Sequence, residues 1–500
     1  MPERSPLRPV SAVIVLALVL AVGVPAAGVQ RRGAQIASPS IRPTTWSEAR
    51  PIVERLVDAL PRSLAEIPAA ERPSHWGGWL ATRRQALAAR IAQGDVDSIV
   101  NLLLFGTRFT RQPRITAKLL RELDQRWKAG DKSAQETLAR QYQQRATDLV
   151  AAAADPRAAE RMRDVRRVLA AHGHDVTTPQ GRTSSVEYLF TNVARVREEA
   201  ARLAADLEAA RRAADTTSAF AERSRIFRDR GLAGDSSVLT QFAVDRAICG
   251  LRDNGLLSAG PVTRAAVVGP GLDFADKQEG FDFYPPQSLQ PFTLVDSLLR
   301  CNLAERSPLR PSTVLGTALS SVEGLRVTTL DISPRVNAHL RAAVARAAYR
   351  LVFPWDSEAR WTDEAEAYWK RTGNRIGVPL AVDATPLLAG VRARAVTISS
   401  DIVGMIRPLE ASIVSDRIDL PERERFDLVV ATNVLLYYDT FEQALALDAI
   451  AAMLRPGGVL LTNDAVLEVP EIPMRSQGYM NVAFSDRQGD GERMVFYVKQ

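Results

Sequence analysis

Between residues 45 and 232 the apolar positions recur at helical spacing, broken at Pro61, Pro68, Pro73, Gly77-Gly78, Gly130, Pro156 and "HGHDVTTPQGR". No strand-like alternation interrupts this half, so it reads as an all-α N-terminal domain. Within it Leu189, Val193, Val196, Ala200, Leu203, Leu207, Ala210 and Ala214 alternate spacings of four and three, the heptad seam of a long helix over residues 186–214. Such a seam pairs either within the chain or across a dimer.

From about Ser236 the pattern becomes helix, strand, helix, strand. The apolar runs "RAAVVGPG", "LRVTTLDIS", "ASIVSDRI", "FDLVVATN" and "VLLTND" read as strands separated by amphipathic helices, and "NVAFSD" with "RMVFYVK" reads as a terminal hairpin. Alternation of this kind predicts an α/β domain over 236–500 with a mostly parallel, seven-stranded sheet and an antiparallel edge. The run "RVNAHLRAAVARAAYRLV" reads as one helix. Two aromatic-rich insertions interrupt the order, near 275–291 (Phe281, Phe283, Tyr284) and near 353–386 (Trp355, Trp361, Tyr368, Trp369). Loops at the carboxyl ends of parallel strands form the ligand crevice, so the first insertion is expected to roof it unless its aromatics fill a core of their own.

The chain start changes the picture of the compartment. Residues 1–30 carry Arg4 and Arg8, an uncharged stretch from Pro9 to Gln30 and a small-residue exit at Ala26, Ala27 and Gly28. That is the pattern of a signal peptide, or of an uncleaved anchor touching the membrane through residues 10–30, since about 20 apolar residues span a bilayer. The expected location is exported or membrane-anchored. Composition adds less: 46% hydrophobic content over 500 residues supports two to four globular domains. The net charge of +6 is mostly arginine without a basic, aromatic-interleaved stripe, so no nucleic acid is expected as a partner. Cys249 and Cys301 lack metal or redox spacing and are expected as two buried thiols, with a single disulfide as the exported-protein alternative. His172, His174 and Asp175 sit in an interhelical loop with only two other histidines in the chain, so no metal site is expected. No GxSxG elbow anchors a hydrolase.

Candidate chemistry begins at "VVGPGLDF". Gly269 permits a sharp turn after a strand, and Gly271 permits close backbone approach to a ligand. Asp273 stands where a third glycine often does. At a helix N-terminus its carboxylate would repel a pyrophosphate and tolerate a cation, and Asp331 lies farther on than the roughly 20 residues of a dinucleotide fingerprint, so an NAD-dependent oxidoreductase is disfavoured. Asp331 closes "LRVTTLDIS", where a carboxylate can accept hydrogen bonds from a ribose diol; the competing role of helix N-cap suits Ser333 better. Asp416 is expected at the end of the third strand, facing an adenine amino group or simply in a loop.

The run "FDLVVATNVLLYYDTFEQALALDAIAAMLRPGGVLLTND", residues 426–464, resembles the fourth strand, following helix and LxPGG turn of the class I S-adenosylmethionine-dependent methyltransferases. Its "NVLLYY" core is closest to chemotaxis-receptor methyltransferases, which also carry a helical N-terminal domain. The resemblance implies a Rossmann-like methyltransferase domain with S-adenosyl-L-methionine as cofactor. It places Gly269, Gly271 and Asp273 at the methionine and ribose side, Asp331 at the ribose hydroxyls, Asp416 at the adenine edge, and Asn433 with Tyr437 at the front of the site. Tyr437 and Tyr438 either contact the acceptor or pack the following helix. Thr432 stands where chemotaxis enzymes have an arginine, so their receptor-glutamate substrate is not carried over and the methyl acceptor stays open. The competing expectation is a non-catalytic exported or membrane-tethered scaffold that keeps the fold.

Overall fold

The computed structural model describes residues 39–500 except 132, 213–230, 233, 235–236, 258–259, 276–280, 307–323, 357–359, 383–390, 464 and 488. The signal or anchor segment, and parts of both insertions, lie outside the described residues.

Twelve strands are described: β1 (Ser40–Pro43), β2 (Arg264–Val268), β3 (Arg326–Asp331), β4 (Tyr349–Asp356), β5 (Gly377–Leu380), β6 (Val391–Ile398), β7 (Ile406–Glu410), β8 (Asp416–Asp419), β9 (Phe426–Ala431), β10 (Leu454–Thr462), β11 (Met474–Ala483) and β12 (Gly491–Lys499). Seven of them form the main sheet in the order β11-β12-β10-β9-β2-β3-β7. β7, β3, β2, β9 and β10 run parallel, while β12 is antiparallel to both β10 and β11. The expected seven-stranded sheet with an antiparallel C-terminal hairpin is therefore present.

Alternation along β2 explains the layers. Ala265 and Val267 enter one apolar core, with the helices Val238–Asp253, Gln290–Arg300 and Pro334–Arg346; Ala266 and Val268 enter the other, with the helix Thr440–Met453. The second face is completed from the chain's beginning. Ala49, Ile52 and Val53 of the helix Trp46–Arg55, then Trp76, Trp79, Leu80 and Leu87 of the helix Arg72–Phe105, pack into that same core, and β1 pairs with β8. At about 1.5 Å per residue the 34-residue helix Arg72–Phe105 is about 50 Å long. Its first half covers the sheet, and its second half joins Ser133–Ala154, Glu160–Ala171 and Pro179–Arg212 in a separate helical core. The heptad seam lies on that last helix as far as Ala210, Ala214 being outside the described residues, and its Leu189 and Val193 are buried in the helical core.

Three sequence expectations need correction. The third parallel strand is β7, not "ASIVSDRI": Ile413 and Val414 are buried in a turn, and only the end of that run is strand, in β8. Burial mimicked a strand there, while β7 was hidden by Pro408, which a sheet tolerates because β7 is an edge strand. The helix after β3 stops at Arg346, where Ala347 turns left-handed at φ 49°, and "YRLV" starts β4. β4, β6 and β5 make a small antiparallel sheet of the second insertion. Finally, Cys249 and Cys301 are not thiols but a disulfide, Cα–Cα 5.4 Å, joining the C-terminal ends of the helices Val238–Asp253 and Gln290–Arg300.

Because that bond closes a loop with a sequence separation of 52, the loop-entropy relation gives it about 4 kcal/mol of stability. The double variant Cys249→Ala/Cys301→Ala is expected to lose an amount of that order in urea unfolding, and dithiothreitol is expected to destabilise the wild type alone. An unchanged midpoint in both experiments would show that the bond does not constrain the fold.

Candidate functional site

A cavity of about 1010 Å³, counted out to its mouth, opens at the carboxyl ends of β2, β3 and β9. This is where open α/β sheets bind ligands, because strand order reverses between β2 and β9. Its floor includes Gly269, Pro270 and Gly271 after β2, Asp331 and Ile332 after β3, Ala411 and Ile413 after β7, and Thr432, Asn433 and Val434 after β9.

The glycine turn is fixed by contact rather than by convention. Gly269 and Gly271 both adopt left-handed backbone, φ 64° and 67°. A Cβ on Gly269 would lie 2.6 Å from Val434 Cγ2, and one on Gly271 would overlap the Gly234 carbonyl oxygen, which accepts from Leu272 N at 2.7 Å. Gly234 belongs to a strap that Leu232 N ties to the Arg90 carbonyl at 2.9 Å, and a Cβ on Gly94 would collide with Leu232. The strap therefore fills the gap between the long N-terminal helix and the turn.

That helix is the roof. Ile91 and Asp95 line the cavity from above. One face of the helix is pinned to the elements below by arginines: Arg83 Nη2 donates to Glu442 Oε2 in the helix Thr440–Met453 at 2.8 Å, Arg84 pairs with Asp416 at the start of β8 and donates to Ser415 Oγ at 3.2 Å, and Arg90 Nη1 donates to the Tyr437 carbonyl at 2.9 Å. In return Arg335 Nη2 donates to Asp95 Oδ1 at 2.6 Å.

Asp331 is 8% exposed, and its Oδ1 accepts from Ser333 N at 2.7 Å. Burial pushes its carboxyl up to about 6, opposed by the backbone N–H groups of Ser333 and Gly271. Ser333, not Asp331, caps the following helix. Asn433 holds φ 57°, a conformation asparagine tolerates, with its N–H on Asn463 Oδ1 and its Oδ1 accepting from Asn463 Nδ2, both 2.8 Å. Tyr437 and Tyr438 both line the cavity, and Tyr438 is also part of the apolar core against the following helix.

Gly269, Gly271, Asp331, Asn433 and Tyr437 are thus brought together, and two expected residues are not. Asp273 is buried beside the turn, bridged to Gln287, and does not line the cavity, because the chain continues from the turn into that bridge and the next described helix starts only at Gln290. Its expected repulsion of a pyrophosphate at a helix N-terminus therefore does not operate. Asp416 lies outside the cavity, accepting from Ser412 N at 2.9 Å and pairing with Arg84. Among the described residues of the first insertion, only Gln290 lines the cavity, and its aromatics do not roof the site. Phe281 and Tyr284 pack with Val352 and Ala395 in a small core of their own. Asp95, Arg335, Thr240 and Gln241 line the cavity without any local sequence motif.

The strand order, with one antiparallel strand between β10 and β11, distinguishes this sheet from the all-parallel dinucleotide order 3-2-1-4-5-6. The domain has a Rossmann-like α/β fold whose mostly parallel sheet ends in an antiparallel hairpin. No family model and no curated protein matches the sequence. Among solved structures the domain is similar to the N-methyltransferase NodS from Bradyrhizobium japonicum WM9, at 14% identity and TM-score 0.23, over 51% of this chain and 96% of that one. It is also similar to magnesium protoporphyrin IX methyltransferase (ChlM) from Synechocystis PCC 6803, solved with SAM, at 12% identity and TM-score 0.24, over 53% and 81%. The [4+2]-cyclase SpnF aligns at 12% identity and TM-score 0.25, over 54% and 85%.

Close packing around the strap gives a direct expectation. Gly271→Ala and Gly94→Ala should each lower stability by about 1–3 kcal/mol in urea unfolding, whereas Gly77→Ala, with nothing near its Cβ in a helix, should be neutral or slightly stabilising. Equal effects at all three positions would contradict the packing described.

Proposed function

We propose that this protein transfers a methyl group from S-adenosyl-L-methionine to an acceptor that enters beside Asn433, Tyr437 and Tyr438. The observation that carries this reading is the meeting of the Gly269–Gly271 turn and the Asp331 carboxylate in one cavity of a sheet that ends in an antiparallel hairpin. The charge of the lining favours the same donor. Its charged side chains are Asp95 and Asp331 against Arg335, and Arg335 is already paired with Asp95, so a sulfonium is better matched than a pyrophosphate.

In such a reaction the sulfonium is itself the activated methyl source, so the chain's task is orientation and exclusion of water. Asp331 would accept from the ribose hydroxyls. Ile332, Ala411 and Ile413 supply apolar walls, and the Asn463 contacts hold Asn433 with its side chain fixed at the front. The roof helix closes the top.

The disulfide supports an oxidising location, in line with the expected export or anchoring of the N-terminus. Fusing a reporter that works only outside the cytoplasm after residue 45 tests this; activity is expected, and a silent fusion would reverse the compartment.

Calorimetric titration of the full chain tests the cofactor. S-adenosylhomocysteine is expected to bind, NAD is not, and Asp331→Ala should abolish binding. Protonation removes the acceptor, so affinity should be flat above pH 6 and fall by up to tenfold per unit below about 6, while Asp331→Asn should bind weakly and without that dependence. Binding of NAD in preference to S-adenosylhomocysteine would overturn the reading.

A further inference from the structure

We infer that the Cys249–Cys301 disulfide is a thiol–disulfide exchange site, opened at Cys249 by a dithiol, with Arg300 placed to receive the thiolate that leaves. The decisive contact is at the sulfurs themselves. Arg300 Nη2 is shared between Cys249 Sγ at 2.9 Å and Cys301 Sγ at 3.3 Å. A neutral disulfide is a weak hydrogen-bond acceptor, so this guanidinium gains most when the bond breaks and charge appears on sulfur. A bond whose only task is to staple two helices has no use for a cation there.

The cation is held in place from behind. Asp245 is fully buried, and its Oδ1 accepts from Arg300 Nη2 at 2.7 Å, Arg300 Nε at 3.1 Å and the Ser297 hydroxyl at 2.8 Å. Its Oδ2 accepts from Arg371 Nη2 at 3.0 Å, so one carboxylate serves two guanidiniums and does not cancel the charge that Arg300 turns to the sulfurs. Asp296, the other buried carboxylate of the neighbourhood, accepts instead from the backbone of Arg375 at 2.9 Å. Arg252, paired with Asp253, donates to the Cys301 carbonyl at 3.1 Å. Both cysteines stand at helix C-terminal ends, where the dipole disfavours a thiolate, and Arg300 is the group in contact that reverses this.

The two sulfurs differ in access. Cys301 is fully buried and Cys249 only half-buried, which makes Cys249 the sulfur that an external thiolate reaches. Attack forms a bond from the incoming sulfur to Cys249, and the Cys249–Cys301 bond breaks with its electron pair on Cys301, beside Arg300. The second thiolate of the dithiol then displaces Cys249. The dithiol leaves oxidised to a disulfide, and its two electrons and two protons end on the Cys249 and Cys301 thiols. Opening the bond frees the far ends of two helices whose near ends carry Thr240, Gln241 and Gln290 of the cavity lining.

The test uses the full chain and dithiothreitol at neutral pH, with free thiols counted by rapid alkylation and folding followed by circular dichroism. Reduction of the folded wild type is expected to outrun global unfolding. Arg300→Met should slow it about tenfold or more, and Arg300→Lys, which keeps the charge, should recover most of the rate. In Cys301→Ala the remaining Cys249 should react with an aryl disulfide about tenfold faster or more than Cys301 does in Cys249→Ala. Thermal melts show whether Arg300→Met is folded; where it is not, the two single-cysteine chains decide alone. Reduction that proceeds only at the unfolding rate, a rate indifferent to Arg300, or equal reactivity of the two cysteines would overturn the inference.

Discussion

The Gly234 carbonyl occupies the space that any side chain at position 271 would need, and much of the molecule follows from that one close approach. It seats the strap against the turn. The strap in turn is tied to Arg90 and crowded by Gly94, so the long helix cannot lie anywhere except across the carboxyl ends of the strands. A cavity exists because this backbone layer bridges the crevice without side chains to fill it. The glycines act here less as flexible joints than as absent volume.

Arginine does much of the fastening. Arg83 and Arg84 on the roof pair with carboxylates of the helix Thr440–Met453 and of β8 below, and Arg90 reaches a carbonyl. Glu442 is fully buried and Asp416 largely so, which makes the carboxylates the more costly partners to strand; removing either arginine would leave an uncompensated charge. The same residue type works inside the helical core, where buried Arg145 donates to the carbonyls of Leu103, Gln112 and Pro113 at 2.6–2.9 Å and so closes the end of the roof helix. A high arginine content thus serves interior wiring, with a guanidinium fork matched to clustered acceptors.

Much of the sheet was legible because its strands are short, apolar and bounded by turn residues: β2, β3, β9 and β10 follow the periodicity, and "LRPGG" marks the entry to β10. β7 was not, since Pro408 and the charges at its ends hide an edge strand, and the buried turn at Ile413 imitates one. At the site, Gly269, Gly271, Asp331 and Asn433 could be found because each stands at the end of a strand that the pattern reveals. Asp273 misled because the glycine turn was expected to lead straight into a helix, and the bridge to Gln287 intervenes. Asp95 and Ile91 were invisible for a different reason. They lie on an ordinary amphipathic helix more than a hundred residues before the turn they cover, and only tertiary packing brings them there.

A crystal structure of the protein with S-adenosylhomocysteine is the most direct measurement. The account predicts the ribose hydroxyls on the Asp331 carboxylate, the base against Ile332 and Ile413, and the roof helix closed over the ligand with the Arg83–Glu442 and Arg84–Asp416 pairs intact. A ligand bound elsewhere, or a cavity closed by the protein's own side chains with Asp331 turned away from the glycine turn, would contradict it.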